Sequence, residues 1–225
     1  MALEPSHNSL RELSPSEVQA ELARGAIVVD IRKAPEFGAA HLPGAISVQL
    51  SKKNFAERVA TVIAADTSIV LVAANGALSL AAYEALLEAD YAKVLGCLAG
   101  GLEAWKEAGL PTSSLRQISV QELFDRLNSR EPELAILDVR EPSEWDELGW
   151  IDGAALVPLG ELETRLAELP SYREMAILCE VGIRSSTAAS ILARHGFASL
   201  ANVAEGMGAW TKAGYPVITR AAESG

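Results

Sequence analysis

Eight consecutive residues carry the groups best suited to chemistry in this chain: Cys179-Glu180-Val181-Gly182-Ile183-Arg184-Ser185-Ser186. A short apolar run, Met175-Ala176-Ile177-Leu178, precedes them. An Ala-rich stretch of helical type, ending at His195-Gly196, follows. That order places a thiol between a buried strand and the first turn of a helix. The unpaired N–H groups of such a turn, with the helix dipole, stabilise an anion. Successive loop amides can form a nest around it. Gly182 allows backbone conformations closed to other residues, and Arg184 adds a fixed positive charge. Each of these favours the thiolate, the nucleophilic form of cysteine. Cys179 is therefore the expected nucleophile, and Glu180, Val181, Gly182, Ile183, Arg184 and Ser185 are the expected substrate contacts. The other cysteine, Cys97, lies in the apolar run Val94-Leu95-Gly96-Cys97-Leu98-Ala99 and reads as a small buried hydrophobe. No His–Cys or metal-ligand spacing is present.

The elements that hold this loop occur twice. Ser14-Pro15-Ser16-Glu17 and Ser119-Val120-Gln121-Glu122 each read as a capping box opening an amphipathic helix. Two apolar runs, Ile27 to Arg32 and Ala135 to Arg140, each end in Asp-x-Arg. An acid and an aromatic follow each, Glu36-Phe37 and Glu144-Trp145. Then comes a turn, His41-Leu42-Pro43-Gly44-Ala45 or Trp150-Ile151-Asp152-Gly153-Ala154. Both copies close on Gly-x-x-x-Trp, at Gly101–Trp105 and Gly206–Trp210, and the offset stays between 105 and 109 residues throughout. Alternating strands and helices predict an α/β architecture, each copy a parallel sheet flanked by helices. The expected domains are 1–112 and 113–225. The connector Pro111-Thr112-Ser113-Ser114-Leu115 is short enough to keep them packed together.

The copies differ at the loop. Ala73 stands in the place of Cys179 and Leu78 in the place of Arg184, so copy one is expected to be inert. Arg140 with Asp138 reads first as an ion pair bracing the loops and second as a substrate contact. Trp150 is a candidate for the pocket mouth.

Composition narrows the classes. Of 225 residues, 49% are hydrophobic and 22% charged, as in ordinary globular proteins. The net charge of −11 and the lack of clustered Lys and Arg argue against a nucleic-acid surface. No apolar run approaches a membrane span. Two cysteines without an export signal point to a reducing cytosol.

In this order, and twice, these motifs resemble the rhodanese family, above all its tandem two-domain sulfurtransferases. The resemblance rests on Asp138-Val139-Arg140, the His41-Leu42-Pro43-Gly44-Ala45 turn, the Cys179-x-x-Gly182-x-Arg184-Ser185 loop and the Gly-x-x-x-Trp ends. It implies two rhodanese-like domains, the first inactive and the second catalytic. It also implies ping-pong sulfur transfer through a Cys179 persulfide, without metal or organic cofactor. The implied partners are a small anionic sulfur donor such as thiosulfate and a thiophilic acceptor such as cyanide or a thiol. A protein that delivers or accepts sulfur is a further implied partner. Related phosphatases of similar fold use a loop longer than the six residues from Cys179 to Arg184, which favours sulfur. Glu180 departs from the pattern, because a basic or polar residue there suits a dianion better. Turned inward, it repels anions; turned outward, it does little. Trp150 also departs, standing where the turn motif has His. The competing expectation is a non-catalytic or weakly catalytic rhodanese-like module that binds a protein partner.

Overall fold

The computed structural model describes residues 10–129, 134–171 and 173–220. The first copy runs β1 (Glu12–Leu13), α1 (Pro15–Ala23), β2 (Ile27–Asp30), α2 (Ala34–Ala39), β3 (Ile46–Ser47), α3 (Phe55–Ala60), β4 (Ile69–Val72), α4 (Gly76–Glu88), β5 (Val94–Leu98) and α5 (Gly101–Glu107). The second runs β6 (Arg116–Ile118), α6 (Val120–Asn128), β7 (Leu134–Asp138), α7 (Pro142–Leu148), β8 (Ala155–Leu156), β9 (Glu174–Leu178), α8 (Ile183–Arg194), β10 (Leu200–Val203) and α9 (Gly206–Lys212). Where copy one has α3, copy two has two short 3-10 turns, Leu159–Thr164 and Leu166–Glu168. Each copy forms a five-stranded sheet. The orders, β1-β5-β4-β2-β3 and β6-β10-β9-β7-β8, are the same order repeated. Every pairing between these ten strands is parallel. No helix among them is long and apolar enough to cross a membrane.

Parallel sheets are covered on both faces, so their strands are apolar throughout rather than alternating. Ile69-Val70-Leu71-Val72 in β4 is wholly buried, and Met175 to Leu178 in β9 nearly so. The helix starts follow the sequence with one difference. Ser14 accepts from the Glu17 amide while Glu17 reaches back to the Ser14 amide, a complete capping box. Ser119 accepts from the Glu122 amide at 3.0 Å, but the Glu122 carboxylate is taken by Arg116 at 2.5 Å, so that box is only half formed. Each copy is closed by its tryptophan. Trp105 Nε1 donates to the Pro111 carbonyl at 2.8 Å, and Trp210 Nε1 to the Pro216 carbonyl at 2.9 Å.

The copies share core and hydrogen bonds. One apolar cluster runs from Phe37, Leu42 and Val70 of copy one to Leu137, Ala188 and Leu192 of copy two. The connector folds back on copy one, with Ser113 bridging His41 and the Leu115 amide donating to the Gly38 carbonyl at 2.9 Å. The edge strand β3 is hooked to α8 by one residue, Ser47. Its amide donates to Ser190 Oγ at 3.1 Å. Its hydroxyl accepts from Ser186 Oγ at 3.0 Å, and its carbonyl accepts from Thr187 Oγ1 at 2.5 Å. All four side chains are buried. Arg194, at the other end of α8, donates to the Gly44 carbonyl at 2.6 Å.

Candidate functional site

Cys179 directly follows β9 and is 1% exposed. The Ser185 hydroxyl, in the first turn of α8, donates to its Sγ at 3.3 Å. Gly182 opens α8 in the left-handed region, φ +80°, and a Cβ there would collide with the Ala204 carbonyl. No side chain caps α8, so its first-turn N–H groups are left to the loop and to whatever binds there.

The loop is pinned from behind by the start of α9, which the sequence marked as a closing segment and not as part of the site, and by Asn202, which it did not single out. The Met207 amide donates to the Cys179 carbonyl at 2.8 Å, and the Gly208 amide to the Glu180 carbonyl at 3.1 Å. Gly206, φ +64°, brings α9 this close, because a Cβ on it would strike both of those carbonyls. Asn202, fully buried in β10, donates to the Gly182 carbonyl at 3.1 Å and to Gln117 Oε1 at 2.8 Å. Fixing that carbonyl also fixes the peptide whose N–H begins α8. The available signal was a polar residue inside an otherwise apolar strand, Leu200-Ala201-Asn202-Val203, where an unpaired amide is costly.

Arg184 points to α7 and meets Glu144 in a two-pronged pair, 2.6 and 2.7 Å. Glu144, the charge of Cys179 and that of Glu141 hold the guanidinium above its ordinary range, against the opposing effect of burial. Burial pushes the Glu144 carboxyl up, but Arg184 and the Glu141 amide outweigh it, and it sits below the usual carboxylate range. Glu180 leans onto α9. Its Oε1 lies 2.8 Å from where a Cβ on Gly208 would be, and its Oε2 is buried without a partner. Val181 is 58% exposed at the loop tip, and Ile183 is half-buried.

Arg140 has no exposed surface. It grips Asp138 at 2.7 and 3.0 Å and donates to the Gly149 carbonyl at 2.7 Å. Trp150 is also buried, pairing in antiparallel fashion with Ile218. Cys97 is buried in β5, and burial pushes its thiol up, with the Ser79 hydroxyl pulling the other way.

The rhodanese-like domain model matches residues 14–108 and again 119–213. The chain belongs to the rhodanese-like domain family. Its two tandem copies have relatives among curated proteins. YrkF of Bacillus subtilis, named as a sulfur carrier protein, is 40% identical over 99 residues, 44% of this chain and 52% of that protein. The chain thus spans about half of that relative's length. A sulfurtransferase of Allochromatium vinosum is 30% identical over 104 residues, 46% of this chain and 95% of that one. The crystal structure of a thiosulfate sulfurtransferase from Pseudomonas aeruginosa overlays on 93% of this chain and 44% of its own. The identity is 25% and the TM-score 0.41.

Within this rhodanese-like pair, only the second copy joins a thiol, a guanidinium and an uncapped helix start. At the matched place copy one has Ala73, Leu78 and a helix capped by Asn75, whose Oδ1 accepts from the Leu78 amide at 3.0 Å.

Proposed function

We propose that the second copy, residues 113–225, is a sulfurtransferase domain with Cys179 as nucleophile, and that the first, residues 1–112, is catalytically inert. The observation that carries this is the Cys179 sulfur beside the uncapped start of α8, with Ser185 donating to it and Arg184 close enough for their charges to interact. In this reading the thiolate attacks the outer sulfur of a donor, of which thiosulfate is the simplest. The donor's S–S bond breaks, and the remainder leaves with the electron pair, sulfite in the case of thiosulfate. A new S–S bond forms on Cys179. A thiophilic acceptor, cyanide or a thiol, then attacks the outer sulfur and restores the thiolate. First-turn amides and the Ser185 hydroxyl stabilise the charged sulfur in both halves. A thiol only 1% exposed admits a reactant only by a narrow end, which suits a terminal sulfur atom. Gly182 and Asn202 hold the loop, Arg140 braces the strand end behind it, and Trp150 packs the turn. Acceptor proteins and sulfur-delivering proteins fit the same site in this reading, in keeping with a relative named for sulfur carriage.

The test is intact-mass spectrometry of the reduced full chain after incubation with thiosulfate, mercaptopyruvate or cysteine persulfide. A gain of one sulfur is expected, removed by cyanide, absent in Cys179→Ser and retained in Cys97→Ser. If no donor adds sulfur, the chain is a binding module and this reading is wrong.

A further inference from the structure

Asn202 is a polar side chain in an apolar strand, and the fold does not ask for it. β10 holds the same place in its sheet as β5 in copy one, where Cys97 stands at the matched position. Cys97 pairs in register with Glu12 as Asn202 does with Gln117. A thiol offers one weak donor where the amide offers two. The copy without the reactive thiol is thus also without this amide and its neighbour. Both N–H bonds of Asn202 are engaged, one to the Gly182 carbonyl at 3.1 Å and one to Gln117 Oε1 at 2.8 Å. Its Oδ1 is buried without a partner among the described residues, a cost that an apolar side chain would avoid. What the position supplies is therefore its two donors.

In a trans peptide the N–H points opposite to the C=O. Seating the Gly182 oxygen on Asn202 of β10 turns the Ile183 N–H away from that strand, at the uncapped start of α8. Gln117 is held in its turn. Its Nε2 donates to the Leu115 carbonyl at 3.1 Å, and its side chain lies over Gly38 of α2, in copy one. A Cβ on Gly38 would stand 2.5 Å from that nitrogen. Gly38 is not in the left-handed region, so its backbone does not require glycine; the room it leaves is taken by Gln117.

We infer that Asn202 is a positioning residue for the sulfur-transfer site proposed above: seated by Gln117, which Gly38 of copy one admits, it aims the first amide of α8 at the charge that gathers on the Cys179 sulfur. Asn202 acts through the Gly182 peptide and not on the reacting atoms. Its effect falls on how well the anionic sulfur is stabilised.

The test follows two reactions of Cys179 across pH by intact mass, in the reduced full chain carrying Cys97→Ser. Alkylation by iodoacetamide is the deciding readout, because it needs no sulfur transfer; loading from thiosulfate is the second. The substitutions are uncharged and leave Arg184, Glu144, Glu141, Glu180, Arg140 and Asp138 in place. In Asn202→Leu both rates are expected to fall by on the order of tenfold at neutral pH and to recover as pH rises, because a less stabilised anion forms only at higher pH. Gln117→Leu and Gly38→Ala should move both profiles the same way by less. The urea midpoint of Gly38→Ala should stay close to the parent's, since the tip of Gln117 can yield. Leu86→Ala, a core truncation in α4, should lower the midpoint and leave the profiles in place. An alkylation profile that does not move in Asn202→Leu, or that drops by one factor at every pH, makes Asn202 merely structural and overturns the inference. An unmoved profile in Gly38→Ala overturns the part given to copy one. A parent that no donor loads, yet whose alkylation profile moves in Asn202→Leu, overturns the sulfur-transfer reading and leaves the positioning of the thiolate standing.

Discussion

Copy one and copy two share sheet order, closing tryptophan and the Asp-x-Arg strand end, yet differ in the loop that opens their central helices. What both copies keep belongs to the fold. Arg32 grips Asp30 and donates to the Ala40 carbonyl at 2.8 Å, and Arg140 grips Asp138 and donates to the Gly149 carbonyl at 2.7 Å. A brace retained where no thiol remains is serving the chain path, and that is why Arg140 is assigned to the scaffold. What only copy two has belongs to the site. Its thiol, its guanidinium and its uncapped helix are replaced together by Ala73, Leu78 and the Asn75 cap. Even the backing changes. Gly208 lies under Glu180, whereas copy one has Glu103 and Ala74 at the matched positions, so the bulk has changed sides.

The largest expected effect tests the shared brace. Removing either arginine leaves a buried carboxylate without its partner, which costs about 3–5 kcal/mol. Arg32→Met and Arg140→Met should therefore lower the urea midpoint by similar amounts. An Arg140→Met protein with its midpoint intact but its sulfur loading lost would move Arg140 from scaffold to site. The glycines of the two loops come next. Gly182 has φ +80° and faces the Ala204 carbonyl, while Gly76 has nothing within reach of an added Cβ. Gly182→Ala should cost about 1–3 kcal/mol in strain and abolish sulfur loading. Gly76→Ala should stay within about 1 kcal/mol of the parent, on the stable side. Equal costs at the two positions would mean that the loops are more alike than their backbones indicate.

Much of this was legible in the residues because it is local or repeated. Asp-x-Arg closes on itself two residues apart, and the Gly-x-x-x-Trp ends bond a carbonyl six residues on, so both leave a mark in the sequence. The two sheets followed from alternating strands and helices for the same reason. The half-formed box at Ser119 was not legible, because Arg116 competes for Glu122 only once β6 is placed. Nor was the hold of Asn202 on Gly182, since its other partner, Gln117, lies 85 residues away. Glu180 could be seen to sit beside the thiol. That it would lean onto Gly208 depended on α9 folding back across the loop. Such contacts are set by tertiary packing: one strand read alone can flag a buried polar residue, as β10 flags Asn202, but it does not name the partner.

The last difference between the copies is what their central helices face. On α8, Ser186, Thr187 and Ser190 are buried against Ser47 of copy one; on α4, the matched Leu80, Ala81 and Glu84 face solvent. The first copy therefore holds the helix whose first turn meets the thiol. Ser47→Ala leaves the Ser186 hydroxyl buried without its acceptor, and Ser186→Ala removes the donor, each at a cost of about 1–3 kcal/mol. If the two hydroxyls act as one bond, the double variant should cost clearly less than the sum of the singles, by at least about 0.5 kcal/mol. Leu80→Ser, at the exposed counterpart, should change stability by no more than about 0.5 kcal/mol. Ser186 adjoins Ser185, which donates to Cys179, so a shift of this turn reaches the sulfur. The rate of Cys179 loading should then fall in each single variant and recover in part when both hydroxyls are gone. Strictly additive stabilities with an unchanged loading rate would show that copy one carries the helix without tuning it.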